Sequence, residues 1–146
     1  MPDCRRVSPA ERSRIGTIHD PHTVYAYLGP KSWRLKRERA WLLLLSARYE
    51  LENEGVIGEG SVDEVEVDLD WALECVRLPS TPFAVLGHNH PNGSAWPSVE
   101  DARLTQSMRR AARAQGVELL DHVVLGRDQY FSFRQEQLWQ VTRTRS

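Results

Sequence analysis

The alternation of apolar and polar positions opens the chain on a capped helix, with Ser8 as cap, Pro9 at the first helical position and Glu11 three residues after the cap. Gly16 keeps that helix short, and His19-Asp20-Pro21-His22 reads as a loop. Thr23–Leu28 fits another short helix, ended by Gly29-Pro30, so residues 1–35 are expected to form a helical lead-in. From Arg37 to Ser46 the chain is apolar on both faces, as a strand covered on both sides is. Tyr49–Gly60 is turn-rich, with a strand near Gly55–Glu59 and Val62–Val67 as its extension. Asp68–Leu78 places Leu69, Ala72, Leu73 and Val76 on one helical face, and Pro79 and Pro82 end it. Phe83–Asn89 is a second apolar strand, stopped by Pro91.

Ser98–Gln115 carries the strongest helical pattern. Ser98 caps it, Asp101 follows three residues on, Leu104, Met108, Ala111 and Ala112 form its apolar stripe, and Gly116 ends it. Leu119–Leu125 and Gln129–Phe133 read as a hairpin turning at Gly126-Arg127-Asp128. A short helix around Gln135–Trp139 and a basic tail, residues 141–146, complete the chain. This order describes an α/β (α+β) fold with one mixed sheet between helices.

Composition narrows the function classes. A length of 146 residues fits one domain, with residues 36–140 as its body. A formal net charge of -1 removes any global electrostatic case for nucleic acid or an anionic membrane. Arg103, Arg110 and Arg113 share a helical face, but with few interleaved aromatics they read as a solvated face. Cys4, in a terminus expected to fray, and Cys75 form no CxxC pair, which excludes a zinc ribbon or redox motif and sets a reducing, cytoplasmic compartment as the expectation. Trp41–Leu45, the strongest apolar run, is far too short to span a bilayer.

The chemistry concentrates after the second apolar strand. Residues two apart on a strand point the same way, so His88 and His90 project together from its exit. Paired imidazoles suit a borderline divalent metal such as zinc. Asp101, in the first turn of the next helix, is the third ligand this pattern offers, on the same helical face as Ser98. Two histidines and an aspartate leave a fourth tetrahedral position for water, the layout of a catalytic zinc. A hydrolase built on it needs a base outside the metal's ligands, and Glu38, Glu50, Glu52 and Glu59 are all in play, with Glu38 best placed at the head of the buried strand. Ser98 could donate its hydroxyl to a developing oxyanion. Each residue also has a bland role: Ser98 as a cap, Asp101 as a first-turn acid, Glu38 as part of the charged run Lys36-Arg37-Glu38-Arg39. A two-metal nuclease would need more carboxylates than this cluster supplies.

The spacing His88-x-His90-Pro91-x6-Ser98-x2-Asp101, with Glu38 upstream, resembles the JAMM motif of JAB/MPN-domain metalloproteases. The run HNHPNG, Thr105, Gly116-x2-Leu119-Leu120-Asp121-His122 and Tyr130-x-Ser132 is similar to the RadC branch in particular. The resemblance covers about residues 8–140 and is specific from His88 to Ser132. It implies a JAB/MPN-like (cytidine-deaminase-like) curved mixed sheet flanked by helices, with Zn2+ at its edge. It implies metal ligation by His88, His90 and Asp101, Glu38 as the base and Ser98 at the oxyanion. The activity implied is hydrolysis of a peptide or isopeptide bond in a peptide or protein substrate. The alternative it carries is a regulatory module associated with DNA or a DNA-bound partner.

Three departures qualify it. Residues 1–35 have no room for the helix-hairpin-helix region that RadC-type proteins carry, so a DNA role resting on that region is not implied here. Asn92 stands where the family has serine, and Trp96 where it has a smaller residue; Trp96 is read as a cover over the metal loop. The family's arginine-glutamate pair before the helix near Asp70 is absent. Asp121 and His122, adjacent on a strand, point to opposite faces and read as a buried, hydrogen-bonded structural pair.

Overall fold

In strand β2 (Arg39–Leu45) every second side chain enters a different core. Ala40, Leu42 and Leu44 join one buried cluster, while Trp41, Leu43 and Leu45 join another on the opposite face. Burying each such leucine contributes about 1.5–3 kcal/mol, which is why this central strand has no polar side from Ala40 onward. The computed structural model describes residues 3–60, 65–77 and 81–137. In chain order its elements are β1 (Asp3–Arg6), α1 (Pro9–Ile15), α2 (Pro21–Ser32), β2, β3 (Leu51–Gly60), β4 (Val65–Val67), α3 (Leu69–Arg77), β5 (Phe83–Asn89), α4 (Val99–Ala114), β6 (Glu118–Leu125) and β7 (Tyr130–Ser132).

The strands form one open sheet in the order β1-β3-β2-β5-β6-β7, with β4 paired to β3 off this path. Every pairing is antiparallel except β5 with β6, which α4 connects as a crossover. Helices α3 and α4 supply Ala72, Cys75, Val76, Met108 and Ala112 to one face. Helix α2 supplies Val24 and Leu28 to the other. The result is a mixed α+β sheet covered on both sides, the JAB/MPN-like architecture. Among the described residues no helix is long and apolar enough to cross a membrane.

Several elements differ from their sequence pattern. The stretch expected as a helical lead-in also carries an edge strand. Cys4 and its neighbours do not fray: Asp3–Arg6 pairs with β3, opposite Asn53–Val56. Arg5 reinforces the pairing by donating to Glu11 at 2.9 Å and to Glu54 at 2.7 Å. Helix α2 runs through Gly29 and Pro30 to Ser32, because its buried face of Val24, Leu28 and Ser32 outweighs the backbone bond that proline removes. Ser32 Oγ also donates to the Gly29 carbonyl at 2.8 Å.

The turn character of Tyr49–Gly60 is confined to its start, where Tyr49 takes φ 63 and its N–H donates to Ser46 at 2.9 Å. Beyond it, β3 is ten residues long. Gly58 sits inside that strand because β4 crosses it closely; a Cβ there would lie 2.2 Å from the Glu66 carbonyl oxygen. Val65–Val67 therefore folds back on β3 instead of extending it. The ends of the Asp68–Leu78 and Gln135–Trp139 helices, and residues 141–146, lie outside the described residues; residues 133–137 are turns.

Candidate metal centre

The site forms where β5 leaves the sheet. His88 is fully buried, and His90 N–H still donates to the Leu125 carbonyl at 3.0 Å, so the strand geometry carries through both histidines. Past them the chain must reverse. Gly93 adopts φ 93, a conformation that favours glycine, and its N–H donates to the His90 carbonyl at 2.9 Å. The loop then delivers Ser98 as the cap of α4. Ser98 Oγ accepts the Asp101 N–H at 3.1 Å, and Asp101 Oδ2 accepts the Ser98 N–H at 2.8 Å. That reciprocal cap swings the Asp101 carboxylate back over the strand end.

The four polar groups converge. His88 Nε2 lies 3.0 Å from Asp101 Oδ1 and 3.0 Å from His90 Nε2. His90 Nε2 lies 3.1 Å from Asp101 Oδ2. Glu38 Oε1 is 3.9 Å from His88 Nε2, and Glu38 is itself buried. Glu38, His88, His90 and Asp101 offer ligand atoms all within 4.8 Å of one another, a group that could hold a metal ion. Two imidazole nitrogens facing each other at 3.0 Å need a proton or a cation between them, because bare lone pairs repel.

Electrostatics bind the cluster together. Burial pushes the Asp101 carboxyl up, but hydrogen bonds with His88 and His90 outweigh it and hold the group well below the usual carboxylate range. Burial pushes His90 down, yet the Asp101 hydrogen bond and the charges of Asp101 and Glu38 leave it raised. His122 is driven well below the ordinary histidine value, first by complete burial and then by His88 beside it.

Among the base candidates, Glu52 pairs with Arg12 at 3.7 Å and Glu59 with Arg39 at 3.2 Å, while Glu38 is the one that faces the histidines. Ser98 stands at the rim, exposed, accepting at the cap and so keeping its own proton to donate. Trp96 does not cover the centre: it is 74% exposed and leans edge-on against Phe131, with ring centroids 5.7 Å apart. Arg103, Arg110 and Arg113 are exposed on α4.

Two residues that sequence reasoning passed over or read otherwise shape the site. Asn89 Oδ1 accepts the Arg39 N–H at 2.7 Å and its amide donates to the Arg37 carbonyl at 3.1 Å. Those bonds grip the chain on both sides of Glu38 and fix where its carboxylate enters. A polar residue buried between two histidines was the available signal. His122 is more than half of a structural pair. Asp121 fits that description, accepting from Ser132 Oγ at 2.5 Å and from the Arg134 N–H at 3.1 Å, with burial raising its carboxyl above the ordinary value. His122 instead turns toward the centre, its Nε2 2.7 Å from His88 Nδ1.

Two imidazoles from a strand exit, a helix-capping carboxylate and a buried glutamate from the neighbouring strand define an α+β domain with a group that could hold a metal ion. Comparison with known proteins gives that class its family. The family model of the RadC-like JAB domain matches residues 18–138, and the chain belongs to this family. It is 33% identical over 135 residues to a UPF0758 protein of Porphyromonas gingivalis, covering 92% of this chain and 60% of that protein. It is 32% identical over 133 residues to a UPF0758 protein of Symbiobacterium thermophilum, covering 91% of this chain and 56% of the relative. A UPF0758 protein of Acaryochloris marina is 34% identical over 137 residues, with 92% of this chain and 56% of the relative covered. The chain thus spans little more than half the length of these relatives.

Proposed function

We propose that this domain is a zinc-dependent hydrolase of amide bonds, a metallopeptidase or isopeptidase of the JAMM type. The observation that carries the reading is the buried convergence of Glu38 on the His88–His90–Asp101 cluster, with Glu38 Oε1 3.9 Å from His88 Nε2. Two imidazole nitrogens and a carboxylate are a donor set suited to Zn2+, and His88, His90 and Asp101 would hold it. When bound, zinc supplies Lewis acidity that brings the pKa of water to about 7.

The remaining chemistry falls to the protein's own groups. Glu38 takes the proton of the attacking water on its carboxylate and hands it to the leaving amine nitrogen as the C–N bond breaks. Ser98 donates its hydroxyl proton as a hydrogen bond to the oxygen of the scissile carbonyl as charge develops there, an effect of about 3–4 kcal/mol in the best cases. Asn89 keeps the Arg37–Arg39 segment in place, so Glu38 stays within reach. A peptide or protein is the substrate this chemistry suits.

Metal analysis and peptide-cleavage assays on the full chain test the reading. About one zinc per chain is expected in the wild type and in Glu38→Gln, and none in His88→Ala. Glu38→Gln is expected to abolish cleavage of peptide and isopeptide substrates. Absence of zinc and of cleavage in the wild type overturns it and favours a non-catalytic module with a DNA-associated partner, whereas undiminished cleavage by Glu38→Gln overturns the role of Glu38 as the base.

A further inference from the structure

The metal-facing histidine His88 is backed by a third histidine, not by the carboxylate or backbone carbonyl that usually receives the other ring proton of a ligand. Thr105 Oγ1 lies 2.8 Å from the Asp101 carbonyl oxygen, one turn back along α4. A carbonyl can only accept, so the single hydroxyl proton of Thr105 is committed there. The same Oγ1 lies 2.5 Å from His122 Nδ1. With its proton used, the oxygen can only accept, and His122 Nδ1 must carry the hydrogen.

His122 is fully buried and stacked on Phe133, with ring centroids 4.9 Å apart and planes 8° from parallel. Complete burial disfavours a charged ring, and a neutral imidazole has one N–H, so a proton on Nδ1 leaves Nε2 as a bare acceptor. That Nε2 is 2.7 Å from His88 Nδ1, which must then be the donor. Nothing in this chain of bonds can reverse alone, because each member has one proton to give.

We propose that Thr105 and His122 act as a positioning relay that holds His88 in its Nδ1–H form and keeps its Nε2 directed at His90 and Asp101 for the metal. The relay rests on the metal-binding reading of His88. It starts and ends on one residue, since the Asp101 carbonyl anchors Thr105 and the Asp101 carboxylate faces His88 Nε2 at 3.0 Å. It joins α4, β6 and β5 through side chains alone. His90 reaches the same orientation by a shorter route, donating from Nδ1 to the Ser94 carbonyl at 2.9 Å. Removing the Thr105 hydroxyl frees His122 to place its proton on Nε2, against His88, and pushes the His88 proton onto the nitrogen the metal needs.

Two measurements on the full chain test the relay. Long-range 15N–1H NMR of the metal-free protein reads the ring forms directly, and His122 is expected neutral with its proton on Nδ1. Chelator competition then compares zinc affinity of wild type, Thr105→Val and Thr105→Ser, with near-ultraviolet dichroism confirming that each is folded. Thr105→Val is expected to lose about 10–100-fold in zinc affinity and Thr105→Ser to recover most of it. A His122 proton on Nε2 in the wild type, or a folded Thr105→Val that holds zinc as tightly as wild type, overturns the relay. A wild type that binds no zinc defeats the metal reading instead, and the metal-free NMR spectrum still decides the relay.

Discussion

Ser98 and Asp101 bond each other twice, Ser98 N–H to Asp101 Oδ2 at 2.8 Å and Asp101 N–H to Ser98 Oγ at 3.1 Å. One carboxylate thus closes the cap of α4 and faces both histidines. The two roles separate by mutation. Ser98→Ala removes the cap oxygen and is expected to cost about 1 kcal/mol of stability in urea denaturation. It leaves the Ser98 N–H to hold Asp101, so zinc affinity in a chelator titration should fall less than about tenfold. Asp101→Asn keeps an acceptor for that N–H but loses the charge, and should lower zinc affinity by more than about a hundredfold. Equal losses of affinity in the two variants would show that the cap and the metal ligand are not separable.

Gly126 packs closely behind the loop that follows His90. A Cβ there would lie 2.7 Å from the Gly93 carbonyl oxygen and 2.8 Å from the Ala95 nitrogen. Between those residues sits Ser94, whose carbonyl accepts from His90. Gly126→Ala is expected to cost about 1–3 kcal/mol through overpacking and to weaken zinc binding measurably. Gly116→Ala is the matched control: it strains a φ of 78 but meets nothing within 4 Å, so it should lose about 1–2 kcal/mol with no change in zinc affinity. Unchanged zinc binding in Gly126→Ala would sink the idea that this packing supports the loop.

What could be read in the sequence follows the range of the forces involved. Phe83–Asn89 and the Ser98 cap are set by neighbours in sequence, and both appear where the pattern put them. The alternate spacing of His88 and His90 is a strand property, so their common direction was legible too. The strand Asp3–Arg6 was not: its four residues, DCRR, have no apolar alternation, and it exists because β3 offers an edge and Arg5 finds Glu11 and Glu54. Pro30 inside α2 misled because the burial that offsets it comes from the sheet. The grip of Asn89 on Arg37 and Arg39, and the turn of His122 toward His88, depend on strand pairings that local patterns do not encode.

Trp96 stands clear of the cluster, 74% exposed, with Phe131 as its aromatic contact. On the proposed hydrolase reading, the exposed ring is available to a substrate and does not shield the cluster. Trp96→Ala should cost no more than about 1 kcal/mol, the value of an aromatic pair, and leave zinc affinity unchanged. If the ring meets substrate, KM for peptide cleavage rises with little change in kcat. Loss of zinc in this variant would return Trp96 to a shielding role.

The attachment of β1 should be sensitive to acid. Arg5 donates to both Glu11 carboxylate oxygens, at 3.1 and 2.9 Å, and to Glu54 at 2.7 Å, and the Tyr27 hydroxyl bonds the same Glu54 oxygen. The Arg5 hydrogen bond, with help from the Ser8 N–H, lowers the Glu11 pKa from 4.5 to about 2. A folded pKa below the unfolded one means that the unfolded chain binds more protons between these values. The contribution of Glu11 is therefore complete above 4.5 and fades as pH falls toward about 2. Glu11→Gln cannot ionise, so wild type should exceed it in urea midpoint at neutral pH, and the gap should close progressively below 4.5. Because Glu11 is accessible to solvent, about 1 M salt should also narrow the gap at neutral pH. A gap that persists unchanged from neutral pH to about pH 2.5 would show that Glu11 acts there through shape or hydrogen bonding and not through its charge.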